Sequence, residues 1–317
     1  VTAEKLIRSA GGDVMADKIK CSVGVFAYNE EKNMANILNA LVEQKQDIVE
    51  IVEIIVVSSA STDGTDEIVK EFCQNHPKVH LIQEDERRGK SAAINLFLKE
   101  ASSDILIIES ADTIPENDVI EKLVLPFNNK KIGMTGGKPV PENPTNTFIG
   151  FAVNLLWSLH HEMAKYSPKL GEMVAFRRLF DEIPANSAVD EASIEAIILE
   201  QDYKLLYVPA AIVHNKGPEN FSDFVKQRRR IAAGHLWLKD NQSHEVSSQD
   251  SSLMLILFFK ACMRNKNKIG WVIGVAMLEV YCRILGSYDY KIKKRNPFKW
   301  KTIDSAKSLK YRSKDKE

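Results

Sequence analysis

The 317-residue chain predicts an α/β fold, a sheet of largely parallel strands with helices on both faces, followed by a helical C-terminal extension. Three observations predict it. Short apolar runs of strand length alternate with segments of helical spacing up to residue 112. Each of those runs ends in a polar cluster. Beyond residue 251 the alternation gives way to two longer apolar stretches.

Residues 22–27 are small or apolar at every position, as a strand covered on both faces requires. The polar turn Tyr28-Asn29-Glu30-Glu31 follows, then helical spacing to about residue 44. The unit repeats: 53–57 reads as a strand ending in Ser58-Ser59-Ala60-Ser61-Thr62-Asp63-Gly64-Thr65, and 66–74 as a helix. Residues 79–82 give a third strand and 90–101 a helix, and 104–108 a fourth strand that runs into Glu109-Ser110-Ala111-Asp112. Strands alternating with helices imply a parallel, Rossmann-like sheet. The second half is less regular, with a strand and turn at 133–137, a helix at 148–165, a strand at 203–213 and a helix at 221–238.

The apolar run 253–262 is too short to span a bilayer, and 269–285 carries Glu279 and Arg283. Interfacial or re-entrant helices fit better than a span, with Arg264, Lys266 and Lys268 at headgroup level. The alternative is a pair of ordinary core helices in a C-terminal subdomain. Basic and acidic residues balance at 43 each, yet residues 287–317 hold eleven Lys or Arg against four acidic residues. Such a tail suits an anionic lipid surface or a solvated terminus. Together, 251–317 form the expected peripheral membrane contact, and no nucleic-acid partner is expected.

Cys21, Cys73, Cys262 and Cys282 form no C-x-x-C pair, which points away from zinc ribbons and disulfide scaffolds and toward a reducing compartment. Residues 1–20 lack the apolar core of a signal peptide, so a cytoplasmic location is expected. The organisation expected is a tail over 1–20, a catalytic domain over 21–250, apolar helices over 251–290 and a basic tail over 291–317.

In open α/β sheets ligands bind beyond the carboxyl ends of the strands, and the polar clusters at 28–31, 58–65, 84–90 and 109–112 all fall there. Asp112, at a rigid strand end, is suited to hold a hard cation against phosphate oxygens, or simply to form a turn. Gly89-Lys90-Ser91 is not a phosphate-binding P-loop, because residue 84 is Glu where the first glycine is required. No G-x-G-x-x-G occurs, which disfavours a dinucleotide dehydrogenase.

The order of these motifs resembles family-2 glycosyltransferases of the GT-A fold. Those enzymes show a strand ending in Ala-Tyr-Asn-Glu, a strand ending in Asp-Asp-x-Ser-x-Asp-Gly-Thr, a Gly-Lys and a strand ending in Asp-x-Asp. Here they stand as Ala27-Tyr28-Asn29-Glu30, Ser58 to Thr65, Gly89-Lys90 and Ser110-Ala111-Asp112. Val189-Asp190-Glu191 sits where such enzymes place a catalytic Glu-Asp pair, and Gln227-Arg228-Arg229-Arg230-Ile231 resembles their Gln-x-x-Arg-Trp motif.

The resemblance implies an inverting transfer from a nucleotide-sugar to a lipid-linked or glycan acceptor at the cytoplasmic face of a membrane, with Mg or Mn as cofactor. It implies a nucleotide-sugar half over 21–137 and an acceptor half over 138–250. Donor contacts are expected from Ala27, Tyr28, Glu30, Ser58, Ser59, Asp63, Arg88, Lys90, Ser110, Ala111 and Asp112. Glu191 is the expected base with Asp190 as its positioning neighbour, and Gln227, Arg229 and Arg230 are expected on the diphosphate or acceptor. Asp112 is the expected metal ligand, and His214, just after a strand, is a second candidate. Two serines depart from the pattern: Ser58 and Ser110 stand where the family commonly has aspartates, one toward the base and one toward ribose or metal. The alternatives are a non-catalytic nucleotide-sugar-binding or scaffold protein, and a sugar nucleotidyltransferase, whose glycine-rich first loop is missing here.

Overall fold

The structure, a computed structural model, describes residues 17–185, 187, 189–242 and 251–294. Its strands form one eight-stranded sheet. In chain order the elements begin with β1 (Ile19–Ala27), α1 (Glu31–Val42), β2 (Val49–Ser59), α2 (Thr65–Asn75), β3 (Val79–Glu84), α3 (Lys90–Glu100) and β4 (Ile105–Ser110). They continue with β5 (Thr113–Pro115), α4 (Val119–Val124), β6 (Ile132–Pro141), α5 (Phe148–Ala164), β7 (Val174–Arg177), α6 (Asp190–Glu200), β8 (Lys204–Asn215), α7 (Phe221–Gln242), α8 (Ser251–Arg264) and α9 (Ile269–Ser287). The sheet order is β3-β2-β1-β4-β7-β6-β8-β5.

Strands β1 to β4 pair in parallel, as the alternation of strand and helix predicts. The sheet is nevertheless mixed: β7 runs antiparallel to both β4 and β6, and β5 runs antiparallel to β8. These two strands, four and three residues long, are too short to leave a period in the sequence.

Alternation along β1 sends side chains to two cores. Val23 and Val25 pack with Met34, Ile37 and Leu41 of α1 on one face. Phe26, with Leu106 and Ile108 of β4, meets Ile94 and Phe97 of α3 on the other. Gly24 permits this contact, since a Cβ there would stand 2.8 Å from the Phe97 ring. Helices therefore cover both faces, as expected.

A third apolar cluster joins α5, α7, α8 and α9 through residues such as Phe151, Phe224, Ala261, Val275 and Cys282. This ties the C-terminal helices to the half of the chain that follows β6. The basic tail lies almost wholly outside the described residues, as does most of the expected N-terminal tail.

Candidate active site

The carboxyl ends of β1, β2 and β4 lie side by side, with Ala27 paired to Ser58 and Phe26 to Ser110. The two loops beyond β1 and β2 are laced together. Glu30 donates its amide to Thr65 Oγ1 at 2.8 Å, and the Glu31 amide donates to Asp63 Oδ2 at 3.2 Å. Asn29 and Ala60 both adopt φ 54°, a left-handed conformation that ordinary side chains rarely take.

Around this edge the expected donor residues are close together and largely engaged with protein partners. Ser58 Oγ donates to Ser61 Oγ at 2.9 Å, and Ser59 Oγ to Glu84 Oε2 at 2.7 Å. The Glu30 carboxylate accepts from Asn33 at 3.0 Å. The Arg87 guanidinium lies 3.9 Å over the Tyr28 ring. Arg88 was expected to face the diphosphate, but its guanidinium is turned to Glu84 at 3.0 Å. Ala111 is buried, its amide bonded to the Phe26 carbonyl at 3.2 Å.

Ser110 and Asp112 open instead onto a cavity of about 890 Å³ that Lys90, Glu172, Asp190, Glu191, Gln227 and Arg230 also line. Lys90 is the first residue of α3, and Gly89 before it takes φ 103°. From there Lys90 Nζ donates to Ser110 Oγ at 3.0 Å and to Glu191 Oε1 at 2.7 Å, joining the end of β4 to the start of α6. Ser91 Oγ, next on α3, stands 2.6 Å from Asp190 Oδ1. Adjacent residues of α3 thus hold adjacent carboxylates of α6.

The carboxylates are not equivalent. Burial raises Asp190 to about 6 against the opposing pull of Lys90. Glu191 is also buried, but the Lys90 ion pair and hydrogen bond outweigh that and hold it below the usual carboxylate range. Burial, reinforced by Asp112 and Glu191, lifts Glu172 to about 7. Burial lifts Glu109 to about 8. Glu109 lies under the site, fully enclosed, with Thr113 donating to one oxygen and no hydrogen-bond partner for the other. The Lys90 ammonium is strengthened by Glu191 and Asp190 despite its burial. Arg230 is weakened by burial while Asp112, Asp190 and Glu191 oppose that change, and its buried Nε has no hydrogen-bond partner.

Among the described residues no group of three His, Cys, Asp or Glu could by itself hold a metal ion. The donor set fits a different kind of binding. Asp112 offers a carboxylate beside Glu172, and an octahedral cation held by one or two carboxylates takes its other oxygens from phosphate and water. His214 lies outside the cavity, on β8 opposite Ile114 of β5, with its ring 3.6 Å from Glu116 and 4.0 Å from Glu142.

Arg229 is likewise outside the cavity. Residues three apart on a helix share a face, so Gln227 and Arg230 point into the cavity together while Arg229 turns to a bidentate pairing with Asp289. Reasoning from sequence passed over Lys169 and His235, which carry no motif signal, and placed Glu172 only in the segment expected to shape the acceptor pocket, without a role. Arg228, read from sequence only as one of three arginines suited to phosphate, lines the cavity and pairs with Glu279 at 2.6 and 2.8 Å.

A model of the family described as Glycosyl transferase family 2 matches residues 22–198, more than half of the chain. A protein named "Probable glycosyltransferase YdaM" from Bacillus subtilis is 27% identical over 242 residues, 71% of this chain and 57% of that protein. The poly-beta-1,6-N-acetyl-D-glucosamine synthase of Staphylococcus epidermidis is 25% identical over 246 residues, 73% of this chain and 58% of that enzyme. The chain thus spans less than three fifths of the length of these curated relatives. Among solved structures, the mannosyltransferase PcManGT of Pyrobaculum calidifontis, in complex with GDP-Man and Mn2+, superposes with a TM-score of 0.59 at 21% identity, covering 93% of this chain and 88% of that one. Glucosyl-3-phosphoglycerate synthase of Mycobacterium tuberculosis, with Mn2+, UDP and phosphoglyceric acid, gives 0.50 at 19% identity, covering 74% and 82%. These likenesses establish the fold as the GT-A type that the motif order implies.

Proposed function

The chain belongs to glycosyl transferase family 2, and on that premise we propose that it transfers a sugar, with inversion, from a nucleotide-sugar to a lipid-linked or glycan acceptor. The observation that carries the reading is the single cavity in which Asp112 and Ser110 at the end of β4 face Asp190 and Glu191 at the start of α6. The nucleotide belongs at the edge formed by residues 27–30 and 58–63, and the diphosphate beside Asp112, with Lys90 and Arg230 as neighbouring positive charge. A divalent cation held by Asp112 and phosphate oxygens would neutralise the leaving diphosphate. The similar structures solved with Mn2+ support such a cation, and they hold different nucleotides, GDP-Man in one and UDP in the other.

Glu191 is kept ionised by Lys90 and is the base that accepts the proton of the attacking acceptor hydroxyl. Asp190, gripped by Ser91, fixes the first turn of α6 and so positions Glu191. Attack from the Glu191 side, opposite the departing diphosphate, inverts the anomeric centre. The apolar surface of α8 and α9 supports work at a membrane surface.

The test is a thermal-shift screen of UDP-, GDP- and other nucleotide-sugars, each with Mn, Mg or EDTA. One donor is expected to raise Tm in the presence of metal, corresponding to about 2.7 kcal/mol at a hundred times its Kd. No shift from any donor with either metal rejects the proposal.

A further inference from the structure

The cavity does not end at the catalytic carboxylates. One helical turn beyond Glu191 on α6, near Glu195, its lining changes to basic residues: the cations Lys169, Arg228 and Arg283, with His235 beside them. Beyond these the walls are apolar and come from α5, α8 and α9, with Trp157, Met254, Phe258, Val272 and Val275 among them. The mouth opens on exposed apolar surface, because Leu255 and Val280 line the cavity while 57% and 58% exposed.

The cationic stretch has more positive than negative charge. Three permanent or near-permanent cations, Lys169, Arg228 and Arg283, meet two carboxylates, Glu279 and Glu195. Glu279 takes the Arg228 fork, and Glu195 accepts from the Leu170 amide at 2.6 Å. Burial, then Arg228 and Arg283 against the weaker pull of the carboxylates, pushes Lys169 down to about 8. Burial and the same cations push His235 well below its ordinary value. A half-buried positive region on an apolar tunnel has a chemical complement, an anion attached to a hydrocarbon chain. Guanidinium groups suit phosphate through their fork of donors.

We propose that this cavity takes an acceptor carried on a lipid phosphate, with the phosphate against Lys169, Arg228 and Arg283, the chain between α8 and α9, and the reactive end toward Glu191. The proposal rests on the glycosyl-transfer reading for what happens at Glu191, but the phosphate site itself does not depend on it. One cavity thus brings together three kinds of lining: carboxylates, cations and hydrocarbon. A glycan acceptor without a lipid would need neither of the last two.

The test is calorimetric titration of the full chain in non-ionic detergent with farnesyl phosphate, farnesol and dioleoyl phosphatidate. Farnesyl phosphate is expected to bind at least tenfold more tightly than farnesol. Lys169→Met is expected to abolish that advantage while leaving farnesol binding as it was. Arg283→Met, at an exposed position of α9, is expected to reduce it as well and keeps the test open if the Lys169 variant does not fold. Equal binding of farnesol and farnesyl phosphate would mean a purely apolar groove and overturn the proposal. So would phosphatidate binding as tightly as farnesyl phosphate, which marks a site for bulk lipid headgroups, or unchanged discrimination in both variants. Failure of the transferase reading looks different, namely no donor binding in the thermal-shift screen with the farnesyl phosphate preference intact.

Discussion

At the first turn of α6 two adjacent carboxylates are held in different protonation regimes by adjacent residues of α3. Lys90 keeps Glu191 ionised, and burial lets Asp190 titrate near neutrality with Ser91 as its partner. Glu191→Gln preserves shape and removes the proposed proton acceptor, so transfer is expected to fall about 100-fold or more with donor affinity retained. Unchanged turnover would move the role to Asp190. Glu172 and Asp190 in the cavity wall and Glu109 beneath it all have folded pKa values raised above the ordinary carboxylate range. The folded state then binds protons more tightly than the unfolded chain. Their contribution to stability is therefore greatest below the ordinary carboxylate value and declines as pH rises through about 8. In EDTA, Tm is expected to drop between pH 5 and pH 8. Glu109→Gln, which mimics the neutral acid, should flatten that slope and melt a few degrees higher than the parent at pH 8. A wild-type Tm that rises over this interval would contradict the assignment.

At the scale of elements, the crossing of α7 and α9 decides which arginines reach the cavity. Gly286 lets the helices touch, for a Cβ there would lie 2.7 Å from both Ala232 Cβ and the Arg229 carbonyl oxygen. Two ion pairs bind the same crossing, Arg228 to Glu279 and Arg229 to the buried Asp289 just after α9. Gly286→Ala should force the helices apart and cost about 1–3 kcal/mol in denaturant unfolding. Wild-type stability in that variant would show that the crossing relaxes without strain. The same crossing changes the meaning of Glu279. Its charge, which counts against a membrane-facing helix in the sequence, is directed inward to Arg228.

At the scale of the whole molecule, α8 and α9 carry a strongly apolar exterior. Phe259 and Met263 on α8 and Met277 and Ile284 on α9 are each at least 60% exposed. The helical run Lys266–Ile292 is long and apolar enough to cross a membrane by length and composition. Contiguous apolar patches of this kind mark a membrane or protein contact. Burial of a large apolar side chain contributes about 1.5–3 kcal/mol, so replacing both Phe259 and Met277 with Glu should reduce vesicle-bound protein by more than tenfold without loss of helical signal. Vesicle sedimentation in detergent-free buffer checks this. Full-length chain that stays in the supernatant would remove the membrane from the proposed function.

From the sequence by itself, the strand and helix order to Asp112, the two faces of the sheet and the residues at its strand ends are already determined. Those features are written in local periods of two and 3.6 and in the polar residues that interrupt them. The family could be read there too, because its motifs are short and ordered along the chain. Tertiary structure alone decided the antiparallel insertion of β7 between β4 and β6, where four residues carry no period. It also decided that Lys90 closes on Glu191 across 101 positions, that Glu172 belongs to the site, and that Arg229 and His214 do not line it. Three consecutive arginines look alike in sequence, and only the face that α7 packs against α9 tells them apart. A carboxylate's charge likewise depends on burial and on partners brought from distant elements, which no local pattern encodes.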